Sequence, residues 1–154
     1  MKTRTILLTL AVFFAGVAVC FAADAQMGTW KLNEAKSKLS PGTPKNHTVV
    51  YAAAGDSVKV TVDGTDNDGK KTHNEWTGKF DGKDYPVTGD PASDARSYTR
   101  VNASTLSLII KNGGKETGTV RVVISADGKT RTVTTTGTDA KGKKFSSTSV
   151  YDKQ

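Results

Sequence analysis

The sequence predicts an all-β domain, an antiparallel up-and-down meander of about 8–10 strands closed into a barrel. Three observations predict it. Asp-Gly and Asn-Gly pairs recur between strand-like runs, at Asp68-Gly69, Asp81-Gly82, Asn112-Gly113 and Asp127-Gly128, and such pairs accept the positive φ that tight hairpin turns require. The runs between them are rich in Val, Thr and Tyr and alternate apolar with polar, as half-buried strands do. Beyond the first 26 residues, no stretch sustains a helical period.

The first residues read as a secretion leader. Lys2 and Arg4 form a basic start, Ile6 to Val19 is apolar apart from Thr9 and Gly16, and Ala23-Asp24-Ala25 puts small residues at the two positions a signal peptidase reads. A membrane-spanning helix needs about 20 apolar residues and polar flanks, more than this run supplies. The expectation is therefore a cleavable leader over 1–25, a single domain over 26–154, and an exported protein, periplasmic or secreted. Cys20 opens a lesser route, lipidation of that cysteine, although the bulky Val19 before it suits that processing poorly.

The 129 residues left after a 25-residue leader suit one domain. They contain no cysteine, which excludes disulfides and thiol chemistry. The leader would take two of the 22 cations (Lys2, Arg4) and one of the 15 anions (Asp24), so the mature charge would be +6. A positive balance favours anionic surfaces such as those of a cell envelope, but the lysines are scattered along the chain, as solubility alone requires.

Strands are expected near 27–32, 47–54, 57–64, 71–80, 84–88, 95–101, 105–111, 116–125, 130–138 and 143–152. Val58, Val60 and Val62 share one face of the third, Leu106, Leu108 and Ile110 one face of the seventh, and Val120, Val122 and Ile124 one face of the eighth. Two-residue turns at regular spacing imply a meander, and closure removes its exposed edges. A two-sheet sandwich with long crossings is the alternative, disfavoured because only 33–46 is a long connection. Pro41, Gly42 and Pro44 keep that segment from forming a long helix. One helical turn at Asn33-Glu34-Ala35-Lys36, with Asn33 as N-cap, fits, and the remainder should lie across one end of the barrel. Pro91-Ala92-Ser93 marks a shorter loop, and Ala140-Lys141-Gly142 a further turn.

The domain opens on Gly28-Thr29-Trp30-Lys31-Leu32 and closes on Val150-Tyr151-Asp152-Lys153. The first resembles the G-x-W first strand of the calycin superfamily, which holds the lipocalins and the fatty-acid-binding proteins. The second resembles the R-x-Y-E-K last strand of the fatty-acid-binding proteins. The resemblance implies a barrel whose two ends pair, a Trp plugging one end, and an interior that binds a lipid-like ligand. Two departures accompany it. The family's Arg two positions before the Tyr is Ser149 here, and no helical pair follows the first strand.

On the last strand, Phe145, Ser147, Ser149 and Tyr151 form the better inward face, and its two serines leave room. On the strand before it, the Thr130 face and the Arg131 face are both candidates, and neither is bulky. Trp30, Tyr51, Trp76, Phe80 and Tyr98 could partly fill the interior, which leaves either a hydroxyl-lined cavity for an amphipathic molecule or a packed, solid barrel. The candidate ligand-binding residues are Trp30, Tyr51, Trp76, Tyr98, Ser149 and Tyr151. Arg96 and Arg100 share a face with Tyr98. Two charges on one face usually mean solvent, so that face is expected outside.

No constellation for catalysis stands out. His47 and His73 lie on separate strands, and His73 with Glu75 lacks further metal ligands. Gly64 to Glu75 partly matches a calcium loop, with Asp66 and Asp68 in place, but it has Gly64 where the first carboxylate belongs and reads as an acidic hairpin turn. There is no phosphate loop and no nucleic-acid signature. The expectation is a non-enzymatic, exported protein binding a small amphipathic ligand, with no cofactor and no metal. The alternative is an envelope-associated interaction or inhibitor module that uses the barrel loops, 33–46 above all.

Overall fold

The computed structural model describes residues 24–138 and 142–154. The apolar run read as a leader and Cys20 lie outside the described residues, as do two of the three residues of the turn at 140–142. Ten strands follow in chain order: β1 Gly28–Leu32, β2 Lys45–Ala54, β3 Ser57–Thr65, β4 Lys71–Gly78, β5 Tyr85–Thr88, β6 Ala95–Asn102, β7 Thr105–Asn112, β8 Lys115–Ile124, β9 Thr130–Thr138 and β10 Lys144–Lys153. Each pairs antiparallel with its chain neighbours, and β1 pairs with β10, so the sheet is a closed barrel with no crossover. The sandwich is thereby ruled out. Among the described residues no helix is long and apolar enough to cross a membrane.

Closure lies where the two ends of the domain meet. Trp30 stands opposite Lys153 on one side and Val49 on the other, and Leu32 stands opposite Tyr151. Ahead of β1, Asp24 to Met27 folds against one end of the barrel. Met27 N–H donates to Asp24 O, Gln26 Nε2 donates to Ser104 O, and the Asp24 carboxylate pairs with Arg100. Gln26 and Trp30 are both fully buried there, joined by the indole Nε1 donating to Gln26 O at 2.9 Å.

The hairpins after β2, β6 and β7 have the expected two-residue loops, at 55–56, 103–104 and 113–114, and others do not. Those after β3, β4 and β8 are longer, because a carboxylate upstream of each glycine captures the backbone. Asp66 Oδ1 accepts from Asp68 and Lys70 N–H, Asp81 Oδ1 from Lys83, and Asp127 Oδ1 from Lys129. Gly69 and Gly128 then take φ of +79° and +70°, values that non-glycine residues avoid. Asp66 is thus occupied in closing a turn.

The 33–44 connection begins with the expected cap. Glu34–Lys36 is a single 3₁₀ turn, and Asn33 Oδ1 accepts from Lys36 N–H. The segment then departs from expectation. Its first part runs alongside β10 instead of crossing the barrel end: Lys38 and Thr148 exchange two backbone hydrogen bonds, and Ser40 N–H donates to Ser147 Oγ. The five-residue β1 is too short to cover β10, so this segment satisfies the backbone groups that β1 leaves over.

Inward positions follow the strand alternation. Val58, Val60 and Val62 on β3, Leu106 and Leu108 on β7, and Val120, Val122 and Ile124 on β8 are buried together. At roughly 1.5–3 kcal/mol per buried aliphatic side chain, they are the main source of the fold's stability.

Candidate ligand site in the barrel interior

β9 and β10 build the distinctive part of the interior. Their register sets Arg131 opposite Tyr151, Val133 opposite Ser149, Thr135 opposite Ser147 and Gly137 opposite Phe145, all on the inward face. The expected Phe145-to-Tyr151 face of β10 is therefore the inward one. On β9, where both faces were candidates, the Arg131 face turns in and Thr130, Thr132, Thr134, Thr136 and Thr138 turn out.

Arg131 is the outcome sequence reasoning missed. It is 2% exposed. Its guanidinium lies over three aromatic rings, 4.8 Å from the Tyr151 centroid, 5.1 Å from Tyr51 and 5.3 Å from Trp30. Lys153 Nζ approaches the Trp30 ring as well, at 5.1 Å. Arg131 Nε and Nη1 are buried and find no hydrogen-bond acceptor among the described residues, and no carboxylate pairs with the side chain there. Cation–π contacts of about 0.5–2 kcal/mol each offset part of the cost of burying this charge. They do not satisfy its N–H donors, and an unpaired buried ion costs several kcal/mol. The position carried a weak signal, an arginine alternating with valine on a strand whose other face is all threonine.

A second cluster stands beside the first. Trp76 lies 4.4 Å from Tyr98, stacks on Phe80 at 6.3 Å, and meets Tyr85 edge-on at 5.8 Å. Tyr51 links the two clusters through Phe80 at 6.4 Å. The six residues expected to touch a ligand thus divide. Trp30, Tyr51 and Tyr151 surround Arg131, and Ser149 sits beside Tyr151 on the same face. Trp76 and Tyr98 belong to the aromatic stack.

The Tyr98 face points inward, a correction to the sequence expectation. Arg96 is buried because its charge is answered: Nη2 meets Asp90 Oδ2 at 2.6 Å and Nη1 meets Asn74 Oδ1 at 3.0 Å. Its carbonyl also accepts from Trp76 Nε1. Arg100, nearer the barrel end, lies over the Phe80 ring and pairs with Asp24. The partners Asp90 and Asp24 come from a loop and from the N-terminal segment, which strand alternation cannot see.

The tyrosines report the apolar setting. Burial pushes the Tyr98 hydroxyl well above the usual tyrosine range, with neighbouring Tyr51 adding to the effect. Burial likewise raises Tyr151, against the opposing pull of Arg131 and the Ser149 hydroxyl. Both are neutral hydrogen-bonding groups at neutral pH. On the outer wall, His73 Nδ1 lies 2.7 Å from Asp63 Oδ1, while Lys59 Nζ holds Glu75 at 2.7 Å. His47 Nε2 meets the Thr65 hydroxyl at 3.0 Å. Among the described residues no group of three or more His, Cys, Asp or Glu is arranged to hold a metal ion.

A scan of protein-family models finds no match to this chain, and a search of curated proteins finds none either. Among solved structures it is similar to EF1p2_mFAP2b bound to DFHBI, with 11% identity, a TM-score of 0.49, and coverage of 86% of this chain and 97% of that one. It is also similar to mFAP1, a redesigned β-barrel bound to DFHBI, with 14% identity, a TM-score of 0.46, and coverage of 84% and 98%. The molecule is a closed ten-stranded antiparallel barrel; what it binds is argued from its own residues.

Proposed function

We propose that this chain is an exported, non-enzymatic binding protein for a small amphipathic acid, held inside the barrel with its acid group on Arg131. One observation carries the reading: a buried guanidinium with two nitrogens, Nε and Nη1, unsatisfied and no acidic partner among the described residues. An anionic group supplies what this side chain lacks, charge balance and acceptors in the planar geometry a guanidinium presents. Tyr51 and Tyr151 add hydroxyls and Trp30 an apolar wall, while Ser149, Ser147 and Thr135 carry little side-chain bulk along β9 and β10. Export is proposed from the leader pattern over 1–25. The interaction-module alternative is less favoured, because the first part of the 33–46 segment is hydrogen-bonded along β10.

The test is displacement of the fluorescent anion 1-anilinonaphthalene-8-sulfonate by dodecanoate, with native mass spectrometry of protein taken from its own source. Wild-type protein should bind the probe and release it to dodecanoate, and Arg131→Met should weaken dodecanoate at least about tenfold, the loss of one charge-assisted contact. Unchanged affinity in Arg131→Met would overturn the proposal, as would a native mass that is ligand-free with no probe binding.

A further inference from the structure

Gln26, just ahead of β1, is a fully buried polar residue with no part in the interior reading. Its carbonyl accepts from the Trp30 indole at 2.9 Å, and its Nε2 donates to Ser104 O at 3.4 Å. Both partners belong to the barrel. Its Oε1 is buried with no hydrogen-bond partner among the described residues. Ala25 and Met27 pack against the core on either side of it.

The leader pattern ends on Ala25, so a cut there makes Gln26 the first residue of the mature chain. In the uncut chain Gln26 N–H donates to Asp24 Oδ1 at 3.0 Å, and the same carboxylate pairs with Arg100. The cut removes Asp24. Two cations that approach this corner stay: Arg100, and Lys153, whose Nζ reaches the Trp30 ring at 5.1 Å. A free amino terminus adds a third positive charge, because an α-amine is mostly protonated at neutral pH. Like charges disfavour one another, and a charge drawn out of water without a counter-ion is costly.

Hydrogen-bond supply points the same way. An open terminal Gln brings N–H donors from both its ammonium and its amide to this corner. Ser104 O, the acceptor its amide uses, already accepts from Ile124 N–H at 2.9 Å. A five-membered lactam made from the same atoms carries one N–H and no charge. Asp24 and Ala25 are themselves packed on the folded barrel, so a cut between Ala25 and Gln26 has to precede closure of this end. The new terminus is then free to react before it is buried.

We infer that the mature protein carries pyroglutamate at position 26, formed by the terminal Gln26 on itself. The α-nitrogen bonds Cδ and the Cδ–Nε2 bond breaks. The released nitrogen leaves as ammonium, one proton staying on the ring nitrogen, and no co-reactant is consumed. This closure presupposes the leader cut proposed above and does not depend on what the interior binds.

The experiment expresses the full chain with its own residues 1–25 and reads the intact mass of the exported protein. That mass should lie about 17 Da below an open chain beginning at Gln26, the loss of one ammonia, and stepwise N-terminal degradation should be blocked. Gln26→Met cannot close a lactam; it should keep its full mass and yield N-terminal sequence. The same loss in that variant would place the ammonia elsewhere in the chain and overturn the inference. A wild-type mass equal to the open Gln26 chain would overturn it too, while leaving the leader reading in place. A mature chain that begins at any other residue, or stays uncut, would overturn both.

Discussion

The wall built by β3, β4 and β6 and the wall built by β9 and β10 belong to one barrel but put different material inside. The first contributes Val58, Val60, Val62, Trp76 and Tyr98, side chains that bury one another. The second contributes Arg131, Val133, Thr135, Ser147 and Ser149, two hydroxyl side chains directly paired and a charge with no counter-ion among the described residues. The first wall has the composition of a protein core. On the second, polar groups take the place of apolar packing, at a cost in stability. Arg96 and Arg131 make the same contrast in two residues. Both are buried arginines, but Arg96 has Asp90 and Asn74, whereas Arg131 lies over aromatic rings and has no carboxylate partner among the described residues.

The largest expected effect tests the packed wall. Trp76→Ala removes the centre of the aromatic stack and should cost about 3–5 kcal/mol in urea unfolding. A cost below 1 kcal/mol would mean the stack is not a core. Next comes Arg131→Met, expected to act in the opposite direction. Replacing an unpaired buried charge with an apolar side chain of similar length should stabilise the ligand-free protein by about 1–4 kcal/mol, read as a raised Tm. A lowered Tm would assign Arg131 a structural role.

Ser149→Val adds apolar bulk to the hydroxyl wall and should gain about 0.5–2 kcal/mol, as filling a loosely packed position does, while weakening dodecanoate. Equal loss of stability and affinity would instead show that the serine is needed for packing.

The smallest effect lies on the outside. The hydrogen bond to Asp63 raises the His73 pKa above its ordinary value near 6.5, helped by Glu75 and opposed by partial desolvation. A raised folded-state value means the contact stabilises fully below the unfolded pKa, and its contribution fades as pH rises through the folded one. An NMR titration should place His73 above its ordinary value, and Asp63→Asn should bring it down; no change in that variant would disprove the pairing.

Much of the fold is legible in the sequence because its signals are local. All ten strands were placed within a few residues, since each is bounded by its own turn residues and carries its own alternation. Asn33 as a cap is legible for the same reason. Hairpin length was less so, because the side chains of Asp66, Asp81 and Asp127 compete for backbone N–H groups in a way residue pairs do not announce. Of the candidate site, the aromatic members were legible as large residues on strands. Their division into a cage and a stack was not, because it depends on which strands closure brings face to face.

The sequence by itself determined the strand positions, the antiparallel order and the apolar faces of β3, β7 and β8. Those follow from alternation along a chain that reverses at short turns. Only the tertiary structure decided the fate of the arginines, since what surrounds a buried charge depends on which distant segments the fold brings to it. Arg96 is inside because a loop returns Asp90 to it. Arg131 is inside because β9 turns its threonines outward, and no acidic residue among those described follows it in.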